Sequence, residues 1–130
     1  MKRGDLVITL RGTLGQAAIF DCGFETGFIN AQMMIIRPKT GISSQYLLDF
    51  ISLGRTQHEL MRGQSGSAVK QLTAGQVGEL DIVVPSNEQQ SIYTRRTSEM
   101  RDLIGLAEGA AVQAGTLFTS LQHRAFRGEL

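Results

Sequence analysis

The sequence predicts an α+β chain: a small mixed or antiparallel sheet with short helices, followed by one long coiled-coil-forming α-helix. Three observations predict it. Short apolar runs separated by Gly-containing stretches fill the chain up to Pro85, the pattern of short strands and turns. No proline follows Pro85, and from Ser86 the apolar spacing becomes helical. At 130 residues, 42% apolar and 19% charged, the chain suffices for one modest core and an appendage but not for two large domains. The expected division is residues 1–85 and residues 86–130.

Within the first part, Leu6, Ile8 and Leu10 alternate with Val7 and Thr9, residues 17–20 form a short apolar run, and residues 28–37 form a longer β-rich run. These read as three strands. The first connection, Gly12-Thr13-Leu14-Gly15, is tight, so an antiparallel meander is the simplest arrangement. Ser44 then caps a helix carrying Leu47, Leu48, Phe50 and Ile51, which Gly54 ends. Thr56 with Glu59 reads as a capping box for a second helix running into Gly63, and Thr73 with Gln76 as another before an apolar strand at residues 80–84.

The second part opens with a third such box, Ser86 with Gln89, placed just after a proline. Met100, Leu103, Ala107, Ala110, Ala114, Leu117 and Leu121 then recur at alternating spacings of three and four, which is a coiled-coil seam. Ile104, Ala111 and Phe118 widen it. A helix over residues 87–126 would be about 60 Å long at about 1.5 Å per residue. The alternative to a partner helix is that the segment folds back on its own domain. Bulky residues at the ends and alanines at the centre favour an antiparallel partner, with Leu103 meeting Leu121, Ala107 meeting Leu117 and Ala110 meeting Ala114, so that the chain is expected to form a homodimer.

Several functional classes find no motif. A single cysteine, Cys22, excludes an internal disulfide and a C-x-x-C zinc half-site, which points to a reducing, cytoplasmic setting. No run approaches the roughly 20 apolar residues of a membrane-spanning helix, and the apolar stretch after Lys2 and Arg3 is too short for a signal peptide. Cys22 and His58 lack a local signature for a nucleophile and its base, and His58 and His123 lack metal-ligand spacing. No phosphate-binding Gly motif of a nucleotide enzyme occurs. Catalytic residues, metal ligands and cofactors are therefore expected to be absent.

Two polar loops carry more chemistry. Arg11, Gly12, Thr13 and Gln16 surround a turn whose glycines allow a phosphate backbone to approach. Residues 62–70 place Gln64, Ser65 and Ser67 between Arg62 and Lys70, so hydroxyls, backbone N–H groups and cations suit phosphate as well. Composition alone favours reading both as ordinary Gly/Ser loops. Asn30 and Gln32 share a strand face by the period of two, and amides read adenine edges. They are equally readable as solvent-facing polar positions.

The order of these motifs resembles a known family. Gly4-Asp5-Leu6-Val7-Ile8-Thr9-Leu10-Arg11-Gly12, then Gly15-Gln16-Ala17-Ala18-Ile19, Asn30-Ala31-Gln32 and Gly66-Ser67 are similar to the later part of a target recognition domain from the DNA-specificity (S) subunit of type I restriction-modification systems. Pro85 followed by Ser86-Asn87-Glu88-Gln89-Gln90-Ser91-Ile92 resembles the entry into that family's conserved helix. The closing Leu121-Gln122-His123-Arg124-Ala125-Phe126-Arg127-Gly128-Glu129-Leu130 resembles its helix terminus.

The resemblance implies a non-enzymatic module: a partial target recognition domain at residues 1–85 and a spacer helix at residues 86–130. It would read one half of a bipartite double-stranded DNA site and dock methyltransferase (M) and restriction (R) subunits. S-adenosylmethionine and ATP would serve those subunits, not this chain. Family S subunits are longer and carry two recognition domains separated by two antiparallel helices, so the chain looks like the C-terminal portion of one. The alternative is an S-subunit fragment acting only as a coiled-coil assembly module without DNA readout.

Overall fold

The computed structural model describes residues 1–62 and 71–130. They form two compact units, Met1–Ser91 and Ile92–Leu130.

The first unit is built on a three-stranded antiparallel sheet of β1 (Leu6–Thr9), β2 (Ala17–Ile19) and β3 (Met33–Ile36). Its order is β2-β1-β3, with β1 in the centre. Leu6 faces Ile19 on one side and Ile36 on the other. The expected meander is thus overturned, because β3 returns to β1 and not to β2. The long connection after β2 makes this feasible. It passes the start of β1, where Lys2 bridges Thr26 and Gly27 N–H donates to the Met1 carbonyl at 3.0 Å, and re-enters beside the strand's far end.

Alternation within β1 puts Leu6 and Ile8 on one face, and both are fully buried. Two helices cover that face. α1 (Ser44–Ser52) contributes Ile51 and α2 (Gly54–Leu60) contributes Leu60, and with Leu72 these residues make the core. Each such burial is worth about 1.5–3 kcal/mol.

Local signals are shifted where tertiary contacts compete. Ser43, one residue earlier than expected, caps α1 by accepting from Tyr46 N–H at 3.3 Å. Ser44 Oγ instead donates to the Gly4 carbonyl at 2.7 Å, tying the helix to the strand. Gly54 does not end α1 but begins α2, with Leu53 serving as the residue between the two. The expected box at Thr56 is absent from the start of α2: Thr56 lies inside the helix and is buried, whereas the N-cap is Leu53, which makes no side-chain cap.

The other two boxes form. Thr73 caps α3 (Ala74–Gly78) with Gln76 reaching back at 2.9 Å. Ser86 and Gln89 exchange hydrogen bonds of 3.2 and 3.3 Å at the start of α4 (Asn87–Phe126). The expected strand at residues 80–84 does not form: among the described residues the sheet holds only β1, β2 and β3. Val83 is 80% exposed, and its carbonyl accepts from the Tyr46 hydroxyl at 2.8 Å rather than from a neighbouring strand. An apolar run becomes a strand only where a partner edge is offered.

Helix α4 has 40 residues with the boundaries that its caps and period predict. Gly128 (φ 70°) closes it: Gly128 N–H donates to Ala125 and Glu129 N–H to Arg124. That pair of bonds needs the left-handed conformation glycine tolerates best. Within the second unit, Met100, Leu103, Leu117 and Leu121 are exposed, as are Ala107, Ala110 and Ala114. Among the described residues no helix is long and apolar enough to cross a membrane.

Candidate nucleic-acid interface

The turn between β1 and β2 is held from inside. Thr9 Oγ1 donates to the Thr13 carbonyl and accepts from Gln16 N–H at 3.1 Å, while Gly15 N–H donates to the Thr9 carbonyl at 3.0 Å. Gly15 is required at its place for two reasons. Its φ is 73°, and a Cβ there would lie 2.8 Å from the Gln57 side-chain oxygen. Gln57 Nε2 in turn donates to the Gly15 and Ile51 carbonyls at 3.0 and 2.7 Å, fastening the turn onto α1 and α2. Arg11, Gly12 and Thr13 are left exposed at its tip.

Three separate segments meet at this end of the sheet. Leu10 N–H donates to the Gln32 carbonyl at 2.7 Å, and Leu72 N–H donates to the Leu10 carbonyl at 2.8 Å. Residues 30–32 and Gln71 therefore flank Arg11, whose Nε donates to the Gln71 side-chain oxygen at 3.1 Å. Sequence spacing alone did not single out Gln71. Its signal is indirect, a polar residue just before the core residue Leu72.

Asn30 and Gln32 are exposed here, but not as neighbours on a strand face. Asn30 Oδ1 accepts from Gln32 N–H at 2.9 Å, and Met33 N–H donates to the Asn30 carbonyl at 3.2 Å. The long third strand expected over residues 28–37 is thus replaced in its first half by a turn. An Asn side chain that captures a nearby backbone N–H outcompetes the ladder.

Arg62 is exposed beyond the end of α2 and lines a shallow cleft of about 250 Å³ with Glu59, Gln76, Glu79 and Leu80. Its neighbour Met61 touches the turn, since a Cβ on Gly15 would meet Met61 Cε at 3.2 Å. The two carboxylates in the cleft lower the local positive potential around Arg62 relative to Arg11. Gln64, Ser65, Ser67 and Lys70 lie outside the described residues.

At the opposite end of β1, Asp5 and Asp21 each pair with an arginine. Arg37 donates from Nε and Nη2 to the two carboxylate oxygens of Asp5, each at 2.7 Å. These bonds, then a 2.7 Å bond from Lys2 N–H, outweigh the burial of Asp5 and hold its carboxyl well below the usual carboxylate range. Arg3 pairs with Asp21 at 3.4 Å and donates to the Cys22 carbonyl at 2.9 Å. Among the described residues, no group of three or more His, Cys, Asp and Glu side chains is placed to hold a metal ion.

Gln90, buried at the start of α4, is a second residue that spacing did not single out. Its Oε1 accepts from Ser43 N–H at 2.8 Å, and its Nε2 donates to the Gly41 and Pro85 carbonyls, both at 2.9 Å. Every one of these groups is backbone, so only a side chain with both donor and acceptor in one planar amide satisfies them together.

Comparison with known proteins identifies the family. No curated protein matches the chain. The model of the type I restriction modification DNA specificity domain matches residues 1–104, a span that takes in the sheet, the turn, the Arg11–Gln71 contact and the start of α4. The chain accordingly belongs to the type I restriction modification DNA specificity domain family and is a non-catalytic, DNA-recognition module of a type I restriction-modification system.

Proposed function

We propose that the chain reads one half of a bipartite DNA site through the face at the end of β1 and docks methyltransferase and restriction subunits in the cytoplasm. The observation that carries the DNA reading is the convergence of Arg11, Gly12 and Thr13 with residues 30–32 and Gln71. A cation, a glycine-bearing turn, a hydroxyl and amides on one exposed surface are what backbone tracking and base-edge reading each require. Arg11 supplies the leading phosphate contact. Arg62 and Lys70 add to it, Arg62 less strongly because Glu59 and Glu79 share its cleft.

Titration with double-stranded DNA over a range of salt concentrations tests this reading. Affinity falls steeply with salt, and Arg11→Ala weakens binding on all sequences and flattens the logarithmic salt slope by about one unit. A smaller flattening follows from Arg62→Ala and Lys70→Ala. Affinity unchanged in all three variants overturns the assignment.

The exposed seam on α4 favours a second reading, in which the chain acts as an assembly module that dimerises through its helix without reading DNA. The same titration separates the two, because an assembly module shows no salt-dependent DNA affinity.

A further inference from the structure

Arg11 differs from the ion-paired arginines of the first unit, Arg3 and Arg37, in the chemistry of its partner. Arg3 is paired with Asp21 and Arg37 with Asp5, both carboxylates. Arg11 donates its Nε–H to a neutral amide oxygen, on Gln71, 60 positions away in sequence. Both residues are exposed, yet both stand on anchored backbone. Leu72, next to Gln71, is buried in the core, and its N–H is bonded to the carbonyl of Leu10, next to Arg11.

A guanidinium is a planar fork whose remaining N–H donors lie on the two Nη atoms once Nε is engaged. Engaging Nε restricts the rotation of a long side chain before any ligand arrives, which lowers the entropic cost of binding. A carboxylate partner achieves the same restriction but also cancels charge and competes with phosphate for the fork. An amide oxygen restricts without cancelling.

We propose that Gln71 is a positioning residue for DNA binding, its side-chain oxygen holding the Arg11 guanidinium ready for a DNA phosphate so that the two residues act as one unit. This inference rests on the DNA-binding reading given above. It assigns Gln71 a role in DNA binding that acts through Arg11.

The test is a double-mutant cycle on the full chain, with a mixed-sequence DNA duplex of about three helical turns as the probe. Dissociation constants are measured for the unaltered chain, Arg11→Ala, Gln71→Met, the double variant and Gln71→Glu, with thermal unfolding midpoints alongside. Gln71→Met keeps the length of the side chain and removes the acceptor, so it weakens binding about threefold to tenfold in the unaltered background. It causes no further loss when Arg11 is already Ala. Gln71→Glu retains an acceptor but pairs with the guanidinium, and weakens binding more than Gln71→Met. The midpoints stay unchanged. Full persistence of the Gln71→Met loss in the Arg11→Ala background overturns the positioning role, as does unaltered affinity in Gln71→Met. Failure of the unaltered chain to bind the duplex overturns the DNA-binding reading and this inference together, whereas binding with additive losses overturns this inference alone.

Discussion

Asp5 and Arg37 form a two-pronged ion pair, both bonds 2.7 Å long, that joins the residue before β1 to the residue after β3. Asp5 is almost fully buried, whereas the Arg37 side chain is 60% exposed. The carboxylate thus depends on one guanidinium and on Lys2 N–H for its charge to be tolerated.

Because the folded-state pKa of Asp5 is depressed, its contribution is present above the unfolded value and lost as pH falls below it. Urea unfolding is expected to show a full and constant contribution from this pair between neutrality and about pH 5, then a decline as the unfolded state takes up the proton first. Asp5→Asn lowers stability at neutral pH by about 2–3 kcal/mol and flattens the acid limb. An acid limb as steep in Asp5→Asn as in the unaltered chain would show that other carboxylates govern it.

Gln89 and Gln90 are adjacent and of one type, but their substitutions are expected to differ. Gln89 completes an exposed capping box, and Gln89→Ala costs about 0.5–1 kcal/mol. Gln90→Ala leaves Ser43 N–H and two carbonyls without their partner in a part-buried place, at a cost of about 1–3 kcal/mol. Denaturant midpoints at constant m-value distinguish the two. Equal losses would falsify the assignment of Gln90 as the residue that joins α4 to the 41–43 segment.

Asn30 and Gln32 are expected to separate in the same way on DNA. The Asn30 oxygen is engaged by Gln32 N–H and shapes the turn, so Asn30→Ala weakens binding uniformly across sequences. The Gln32 side chain takes no part in that turn bond, and Gln32→Ala costs about 1–3 kcal/mol of discrimination at one base pair. Competition binding with single-base variants of a preferred duplex measures both. Uniform loss from Gln32→Ala would reduce it to a backbone contact.

The exposed seam of α4 is expected to pair antiparallel with the same seam on a second copy, since a continuous apolar strip of Met100, Leu103, Ala107, Ala110, Ala114, Leu117 and Leu121 drives association. Ala110 meets Ala114 at the dyad in this register, so Ala110→Glu or Ala114→Glu brings like charges into a close-packed layer and yields monomer. Gln113→Glu, off the seam, leaves the dimer intact. Sedimentation at micromolar concentration reads the outcome, and a monomeric unaltered chain rules the pairing out.

What the sequence determined by itself was local and periodic. The α+β class, the 40-residue helix and the boxes at Thr73–Gln76 and Ser86–Gln89 depend on neighbours within one or two turns, so spacing alone carried them. The turn at residues 11–16 was legible for the same reason. Tertiary structure decided the rest. It placed β1 in the middle of the sheet, left residues 80–84 outside that sheet and buried Thr56 inside α2. It also brought Gln71 to Arg11 and Gln90 to Ser43, across separations of 60 and 47 residues. A single amide side chain looks alike in sequence whether it is solvated, caps a helix or bridges separate backbone segments. Only the fold determines which N–H and carbonyl groups surround it, and those groups decide which role lowers the free energy.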